Sequence, residues 1–364
     1  MTADRSPVLI VGAGLAGLHL AWALYLRNQS FRIISMDTGF PAWKASAGII
    51  NPVTGKRVVK SWRIDELLPF SKERYKQVSE KLIKPSCYRS KRLIRYFRGD
   101  PDERKRFEER SHETEFQKYL NPLTIEDDSG FEIAHSGWVD VSQFVKTSRT
   151  FLKSRNLLRP LTEPFAPKAI QFRGKYLEWN NQPWQQIVFC EGYHGVKNPY
   201  FDWLDYRISR GDVIDFSTTN ALPKHILNRE KWVLPLGAHT GRAGSSYVWQ
   251  DLEKSPEAED ASPLLSAWSD KLVNIENSRI TKHRVGIRPG TNDSKPYVGP
   301  HPEDERLCIL NGFGSKGSSQ SPWCAELLAD FLINASPLPT EITPARRLKF
   351  LKHPPAAPKE IRSR

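Results

Sequence analysis

Cysteine is scarce in these 364 residues: there are four, Cys87, Cys190, Cys308 and Cys324. They lie far apart and form no CxxC, which argues against a disulfide framework, a zinc site and a dithiol redox centre. No uninterrupted apolar run reaches the length of a membrane span. The longest candidate, Val8 to Leu26, has three glycines in its middle, lacks a basic leader and a small-residue cleavage site, and is followed at once by a polar strand entry. Neither a signal peptide nor a membrane helix is expected, and with no targeting signal the chain is placed in the cytoplasm. Repeats and low-complexity tracts are absent too. Acids are the short side of the charge balance, 41 against 54 Lys plus Arg, for a net +13. Much of the excess lies between Lys81 and Arg110 and from Arg346 to Arg364. That basicity fits either an anionic partner such as RNA or a solvated helical surface, and the solvated surface is preferred. The interleaved Tyr88, Tyr96 and Phe97 have a spacing that also suits packing.

What is present is concentrated between Val8 and Asp37. Val8 to Val11 is a short β-branched run of the kind buried on both faces of a parallel sheet. Gly12-Ala13-Gly14-Leu15-Ala16-Gly17 follows, a G-x-G-x-x-G running directly into the helical pattern LHLAWALYL. A second strand, Phe31 to Met36, ends at Asp37, twenty residues past Gly17. Gly12 permits the tight turn, Gly14 lets a pyrophosphate approach the backbone, and Gly17 lets helix and strand pack closely. The helix N-terminus offers free N–H groups to phosphate. Asp37 accepts from a ribose, which favours FAD or NAD over a 2′-phosphorylated nucleotide.

The remaining pattern is α/β. A long Gly-, Pro- and Ser-rich loop follows Asp37, and its centre, Ala45-Ser46-Ala47-Gly48-Ile49-Ile50-Asn51-Pro52, is small enough for a planar ring to lie against. Ile64 to about Leu120 reads helical, with a loose strand at Arg92–Phe97, and Asn121–Ile133 is turn-rich. Gly137 to Asp140 begins a helix to about Ser154. Short strands follow at 169–172, 175–179 and 186–190, then Tyr206–Phe216, Trp232–Leu236 and Ser245–Trp249 in a mixed or antiparallel second sheet. A helix is expected over Leu264–Asn277, and a strand at Leu307–Leu310 leads to a helix over Pro322–Leu332. The fold expected is a Rossmann-like nucleotide domain (1–70, 135–205 and 282–345) interleaved with an α+β substrate domain (71–134 and 206–281). A basic, Pro-rich tail covers 346–364.

Gly312-Phe313-Gly314-Ser315-Lys316-Gly317 matches G-x-G-x-x-G a second time, after a strand and before a helix. No strand follows that helix, and SPLPT stands where an acid would be needed. It therefore reads as a helix N-terminus aimed at negative charge, not as a second nucleotide site.

With these residues in hand, the chain resembles the D-amino-acid oxidase–like family of FAD-dependent oxidoreductases. That family includes glycine oxidase, sarcosine oxidase and the oxidase half of a bifunctional enzyme that modifies the tRNA wobble uridine. Four motifs carry the likeness: VGAGLAG with Asp37, ASAGIINP, IVFCEG followed by RGD, and GIRPGTNDSKPYVG with NGFGSKGSSQSPWCAELLA. AGIINP and GSKGSSQSP are nearest in texture to the tRNA oxidase half.

The resemblance implies FAD with its pyrophosphate on Gly12 to Gly17 and its ribose on Asp37. Its ring system would lie between Ala45–Ile49 and the stretch from Gly312 to Ser318. Cys190 and Gly192 would flank the pyrophosphate, around Glu191, where members usually carry a small neutral residue. Phe165 would mark a backbone contact to adenine. Gly286 stands where sarcosine oxidases attach flavin through cysteine, so FAD should be non-covalent.

The reaction implied is hydride removal from the carbon beside an amine, giving an imine that hydrolyses, with oxygen or another acceptor reoxidising the flavin. Arg288 is the first candidate for gripping a substrate carboxylate, against a structural pairing with an acid such as Asp293. Lys316 either serves substrate or reduced flavin or points into solvent. Tyr247 and Trp249 either wall the pocket or pack the sheet, and Asn51 and Lys60 are fainter candidates. No metal site and no nucleophilic triad is evident, and His239 and His283 are assigned nothing. The substrate expected is a small amine or amino acid, with a carboxymethylaminomethyl group on tRNA as the alternative. That alternative is favoured by the +13 charge and disfavoured by the lack of a methyltransferase half.

Overall fold

The computed structural model describes residues 7–97, 101–121, 130–268 and 278–353, together with 355 and 358. Among these residues there are six α-helices: α1 (Leu15–Leu26), α2 (Ile64–Lys81), α3 (Pro101–Ser111), α4 (Val141–Ser154), α5 (Ala258–Ser266) and α6 (Gly317–Asn334). None is long and apolar enough to cross a membrane among the described residues.

The VLIV run lies near the centre of a six-stranded sheet. The strand order is Leu158–Pro160, Phe31–Ser35, Val8–Val11, Gln186–Phe189, Asp304–Asn311, Tyr297–His301. All neighbours are parallel except the last pair. The run is continuously apolar because both faces are covered. Val8 and Ile10 join the core with α1, α2, α4 and α6, while Leu9 and Val11 face a small three-stranded sheet carrying Leu177 and Trp184. The chain leaves Val8–Val11 toward Phe31 on one side and returns to Gln186 on the other. That reversal opens a crevice at the carboxyl ends of the strands.

The second sheet has eight strands, in the order Arg279–Thr291, Tyr206–Ser217, Thr240–Gly244, Trp232–Pro235, Ile226–Asn228, Leu93–Tyr96, Gly130–Ile133, Leu120–Asn121. Its pairings are antiparallel except Ile226–Asn228 with Leu93–Tyr96, so the sheet is mixed as expected. Arg279–Thr291 straddles residue 282, where the last nucleotide segment was expected to start, and pairs with Tyr206–Ser217 along its whole length.

Several local expectations need correction. The stretch from Ile64 is helical only to Lys81, and strands at Tyr88–Ser90 and Leu93–Tyr96 separate it from α3. Gly137–Val139 is a strand, because Asp140 caps the next helix by accepting from Gln143 N at 2.9 Å, so helix begins only at Val141. Ser245–Trp249 forms no strand, only a bridge at Val248. Of the helix expected over Leu264–Asn277, the described part is α5, which starts earlier, on a Glu257–Asp260 capping box; 269–277 lie outside the described residues, as does most of Asn121–Ile133.

The last helix begins at Gly317 and carries Pro322 in its second turn. Proline there removes one helical N–H and frees the Ser318 carbonyl four residues earlier. Tyr75 Oη on α2 donates to that carbonyl at 3.0 Å, and Ser71 Oγ donates to the next, Ser319 O, at 2.7 Å.

Candidate active site

Both glycine turns end in uncapped helices. The N-cap residue of α1 is Gly14 and that of α6 is Lys316; neither helix has a side-chain cap or an acid in its first turn. Their free N–H groups and positive dipole ends are left for a ligand. At the first turn a Cβ on Gly12, whose φ is +109°, would stand 2.4 Å from Cys190 O, and one on Gly17 would stand 1.9 Å from Gly12 O. Only glycine allows strand, turn and helix this close.

Between the turns runs one long cavity of about 580 Å³, within the range of cofactor sites. Gly12 to Ala16, Asp37, Phe165, Cys190 and Gly192 line it, as do Ala45 to Ile49, Asn51, Tyr247, Arg288 and Phe313 to Ser318. Gly17 and Gly312 lie behind the wall, where they set the packing. Trp249 does not reach the cavity; it is half exposed, with the Arg207 guanidinium 4.5 Å over its ring. Lys60 is spent on Asp65 at 2.9 Å.

Asp37 is expected to accept from a ribose, with no protein partner foreseen for it. Instead Arg149 on α4 holds Asp37 through both oxygens at 2.7 Å, donates from Nε to Ala13 O at 2.9 Å, and lies 5.1 Å over Trp43. Arg149 was not legible, standing 112 positions from its partner on a helix with no motif. Glu191 was expected beside the pyrophosphate. It lines the cavity next to Gly12, accepts from Asn198 Nδ2 at 2.7 Å, and burial pushes its carboxyl up to about 7.

Three distant motifs meet at the other end. Ile287 N donates to Phe40 O at 2.8 Å, and a Cβ on Gly286 would lie 2.9 Å from that of Ala45, so GIRP packs against the ASAG loop. Gly314 N donates to Pro289 O at 2.9 Å, which joins GIRP to the second glycine turn. Asn311 Nδ2 donates to Gly192 O at 2.8 Å, joining that turn to the Cys190–Gly192 turn. Ser46 O accepts from Arg242 Nη1 at 3.3 Å, and Asp215 holds Arg242 at 2.7 Å.

Arg288 has no carboxylate within ion-pair distance among the described residues; Asp293 is taken by Arg346 at 2.8 Å. Its guanidinium donates to the carbonyls of Arg210 (3.2 Å) and Ser246 (3.3 Å) and lies 4.3 Å over the Tyr247 ring. Burial draws its pKa below the ordinary value. Among the described residues, Lys316 Nζ reaches only Ser61 Oγ, at 3.3 Å, and burial lowers its pKa as well. Ser61 Oγ in turn donates to Asn51 O at 3.0 Å. The charged residues on the cavity wall divide in two. Asp37, Arg149 and Glu191 flank the first glycine turn and Lys197 ends the short helical turn after Gly192, while Arg288 and Lys316 stand at the other end with no acid on the wall beside them.

FAD fits this cavity on its own geometry. The first glycine cradle admits a pyrophosphate, the small-residue loop from Ala45 to Gly48 admits a flat ring, and the uncapped α6 favours negative charge beside that ring.

The comparisons with known proteins agree. A 142-residue stretch is 28% identical to the glycine oxidase of Pseudomonas putida, covering 38% of this chain and 39% of that one. A longer match, 24% identical over 371 residues, joins 90% of this chain to 56% of the tRNA 5-methylaminomethyl-2-thiouridine biosynthesis bifunctional protein MnmC of Marinobacter nauticus. These matches span well under two thirds of the relatives' own lengths. Among solved structures, glycine oxidase from Geobacillus kaustophilus superposes with a TM-score of 0.76 at 18% identity, covering 96% of this chain and 99% of that one. Iminodiacetate oxidase from Chelativorans sp. BNC1 gives 0.74 at 17%, covering 93% and 98%. The FAD dependent oxidoreductase (DAO) profile matches residues 7–331. The chain belongs to the DAO family of FAD-dependent oxidoreductases.

Proposed function

We propose that this chain oxidises the C–N bond of a small amine that carries a carboxylate, an amino acid or a close analogue, using non-covalently held FAD. The observation that carries this reading is Arg288: a partly buried cation on the cavity wall, seated on main-chain carbonyls, with Asp212 acting on it from behind the strand but no carboxylate within ion-pair distance among the described residues. A desolvated guanidinium with no directly paired acid is costly, and a ligand carboxylate paired bidentately relieves that cost.

Bound FAD supplies the two-electron acceptor for hydride leaving the carbon next to nitrogen. The protein's part is orientation and electrostatics. Arg288 fixes the carboxylate and Tyr247 stacks beside it, so the neighbouring C–H is aimed at one place. With Arg288 and Lys316 as the charged groups at this end, an ammonium ion is disfavoured, and substrate enters or persists as the neutral amine that can release hydride. The uncapped N-terminus of α6 and Lys316 place positive potential where negative charge accumulates. Gly286, tight against Ala42 and Ala45, leaves no room for a cysteine tether.

The test is an anaerobic screen of amines and D- and L-amino acids against the FAD-loaded protein. Loss of the yellow absorbance with carboxylate-bearing amines is expected. Bleaching only by amines lacking a carboxylate, or by none, would contradict the proposal.

A second reading, the same chemistry on an amine carried by tRNA, is favoured by the net charge of +13 and by the extent of the match to the Marinobacter protein. Filter binding of bulk tRNA across a salt series separates the two: several phosphate contacts give a steep fall of affinity with salt. A flat, weak response favours the free small molecule.

A further inference from the structure

The RGD sequence at Arg210-Gly211-Asp212 lies on the Tyr206–Ser217 strand directly beneath Arg288, and each of its residues has a part in seating that arginine. Arg210 supplies one of the two carbonyls that hold the guanidinium, and Ser246 supplies the other. Gly211 leaves the space: a Cβ there would stand 1.8 Å from Arg288 Nη2. Asp212 is fully buried, and the side chains of the two residues that supply those carbonyls converge on it. Arg210 Nη2 donates to Asp212 Oδ1 at 2.9 Å, and Ser246 Oγ donates to Oδ2 at 2.6 Å while accepting from Asp212 N at 2.7 Å. His283 Nε2 stands 2.9 Å from Oδ1. Arg210 also reaches Asp260 on α5 at 3.0 Å.

We propose that Asp212 is the positioning residue for Arg288: it pins Arg210 and Ser246, and so fixes the two carbonyls that aim the guanidinium at a substrate carboxylate. This rests on the reading that Arg288 binds a carboxylate. The physical reason is that main-chain carbonyls hold a guanidinium weakly and in any nearby orientation, whereas bidentate pairing needs a set plane. Asp212 touches neither cavity nor ligand. It restricts the two acceptors, and the guanidinium inherits their geometry.

Asp212→Asn keeps the volume but cannot accept from Arg210, Ser246 and His283 on two charged oxygens. Ser246→Ala cuts one link and leaves the Ser246 carbonyl in place, and Ser246→Thr restores the hydroxyl. The readout is the dissociation constant of anthranilate and of its uncharged isostere anthranilamide, from the shift each produces in the bound-FAD spectrum, together with the dissociation constant of FAD. The FAD-loaded wild type should prefer anthranilate by about tenfold or more, and Arg288→Lys should lose most of that preference. Asp212→Asn and Ser246→Ala should lower it by about five- to tenfold, with FAD and anthranilamide binding held within about twofold and Ser246→Thr restoring it. Should Asp212→Asn fail to fold, the Ser246 pair decides. Variants that fold and keep the wild-type preference overturn the role of Asp212 and leave the carboxylate reading standing. A wild type that does not discriminate overturns the carboxylate reading itself, and the role of Asp212 with it.

Discussion

Glu191 stands at the carboxyl end of a central parallel strand, beside the first glycine turn. Burial raises its carboxyl from 4.5 to about 7 despite the hydrogen bond from Asn198. The folded chain therefore carries a proton there between about 4.5 and about 7 that the unfolded chain does not. This contribution to stability is complete below about 4.5 and is lost as the pH rises through about 7. Glu191→Gln, which holds its proton at every pH, should gain on the wild type across that window and keep a constant advantage above it. Melting temperatures of both proteins between pH 4 and 9 check this; a pH-independent difference would refute it. The sequence shows Glu191 to be unusual in its place, yet burial and the Asn198 contact are tertiary facts. The same holds for Arg149, whose clamp on Asp37 and Ala13 joins positions with no shared pattern. Arg288, by contrast, is singled out by GIRP in the sequence, but its lack of a carboxylate within ion-pair distance among the described residues and its seat on Arg210 and Ser246 come only from the fold.

At the scale of elements, local signals did well where chain-local chemistry decides. Strand, glycines, helix and strand from Val8 to Ser35 follow directly from apolar pattern and turn residues. They failed where a tertiary partner substitutes for a local rule. Pro322 reads as a helix start, yet α6 runs through it from Gly317, because Tyr75 takes the carbonyl that proline leaves free. Tyr75→Phe should cost about 1–3 kcal/mol, since both Ser318 O and His19 Nε2 lose their partner in a buried place. Denaturant unfolding of the FAD-loaded protein measures it, and an unchanged midpoint would mean that α6 tolerates the proline unaided. Ser245–Trp249 reads as a strand by its alternating aromatics; in the fold it is held to the Tyr206–Ser217 strand only through the bridge of Val248 with Arg210, and both aromatics are about half exposed, Tyr247 under Arg288 and Trp249 under Arg207.

For the whole molecule, we propose that the two sheets mark two interleaved lobes joined across the cavity. The strand Arg279–Thr291 belongs to the second sheet, yet it packs on the Phe40–Ala45 loop and on the second glycine turn of the first. One ligand then bridges both lobes, so FAD should stabilise them together. At 100 times its dissociation constant, FAD should add about 2.7 kcal/mol and sharpen a single melting transition. Two separate transitions, only one of them moved by FAD, would show that the lobes are independent. The return of nucleotide-site motifs near the end of the chain is what suggests the alternation of lobes in the sequence. Which strand carries Arg288 is not legible there, because a strand's sheet is set by its pairing partners and not by its own residues.

The most direct measurement is rapid anaerobic mixing of an amino acid that bleaches the wild type with FAD-loaded Arg288→Ala. The variant should keep its yellow FAD at wild-type stoichiometry, since Arg288 lies at the far end of the cavity from the first glycine turn. Its rate of amine-dependent bleaching at low substrate should fall by about a hundredfold or more, the loss of a charge-assisted bidentate pair. Bleaching at the wild-type rate would contradict the account.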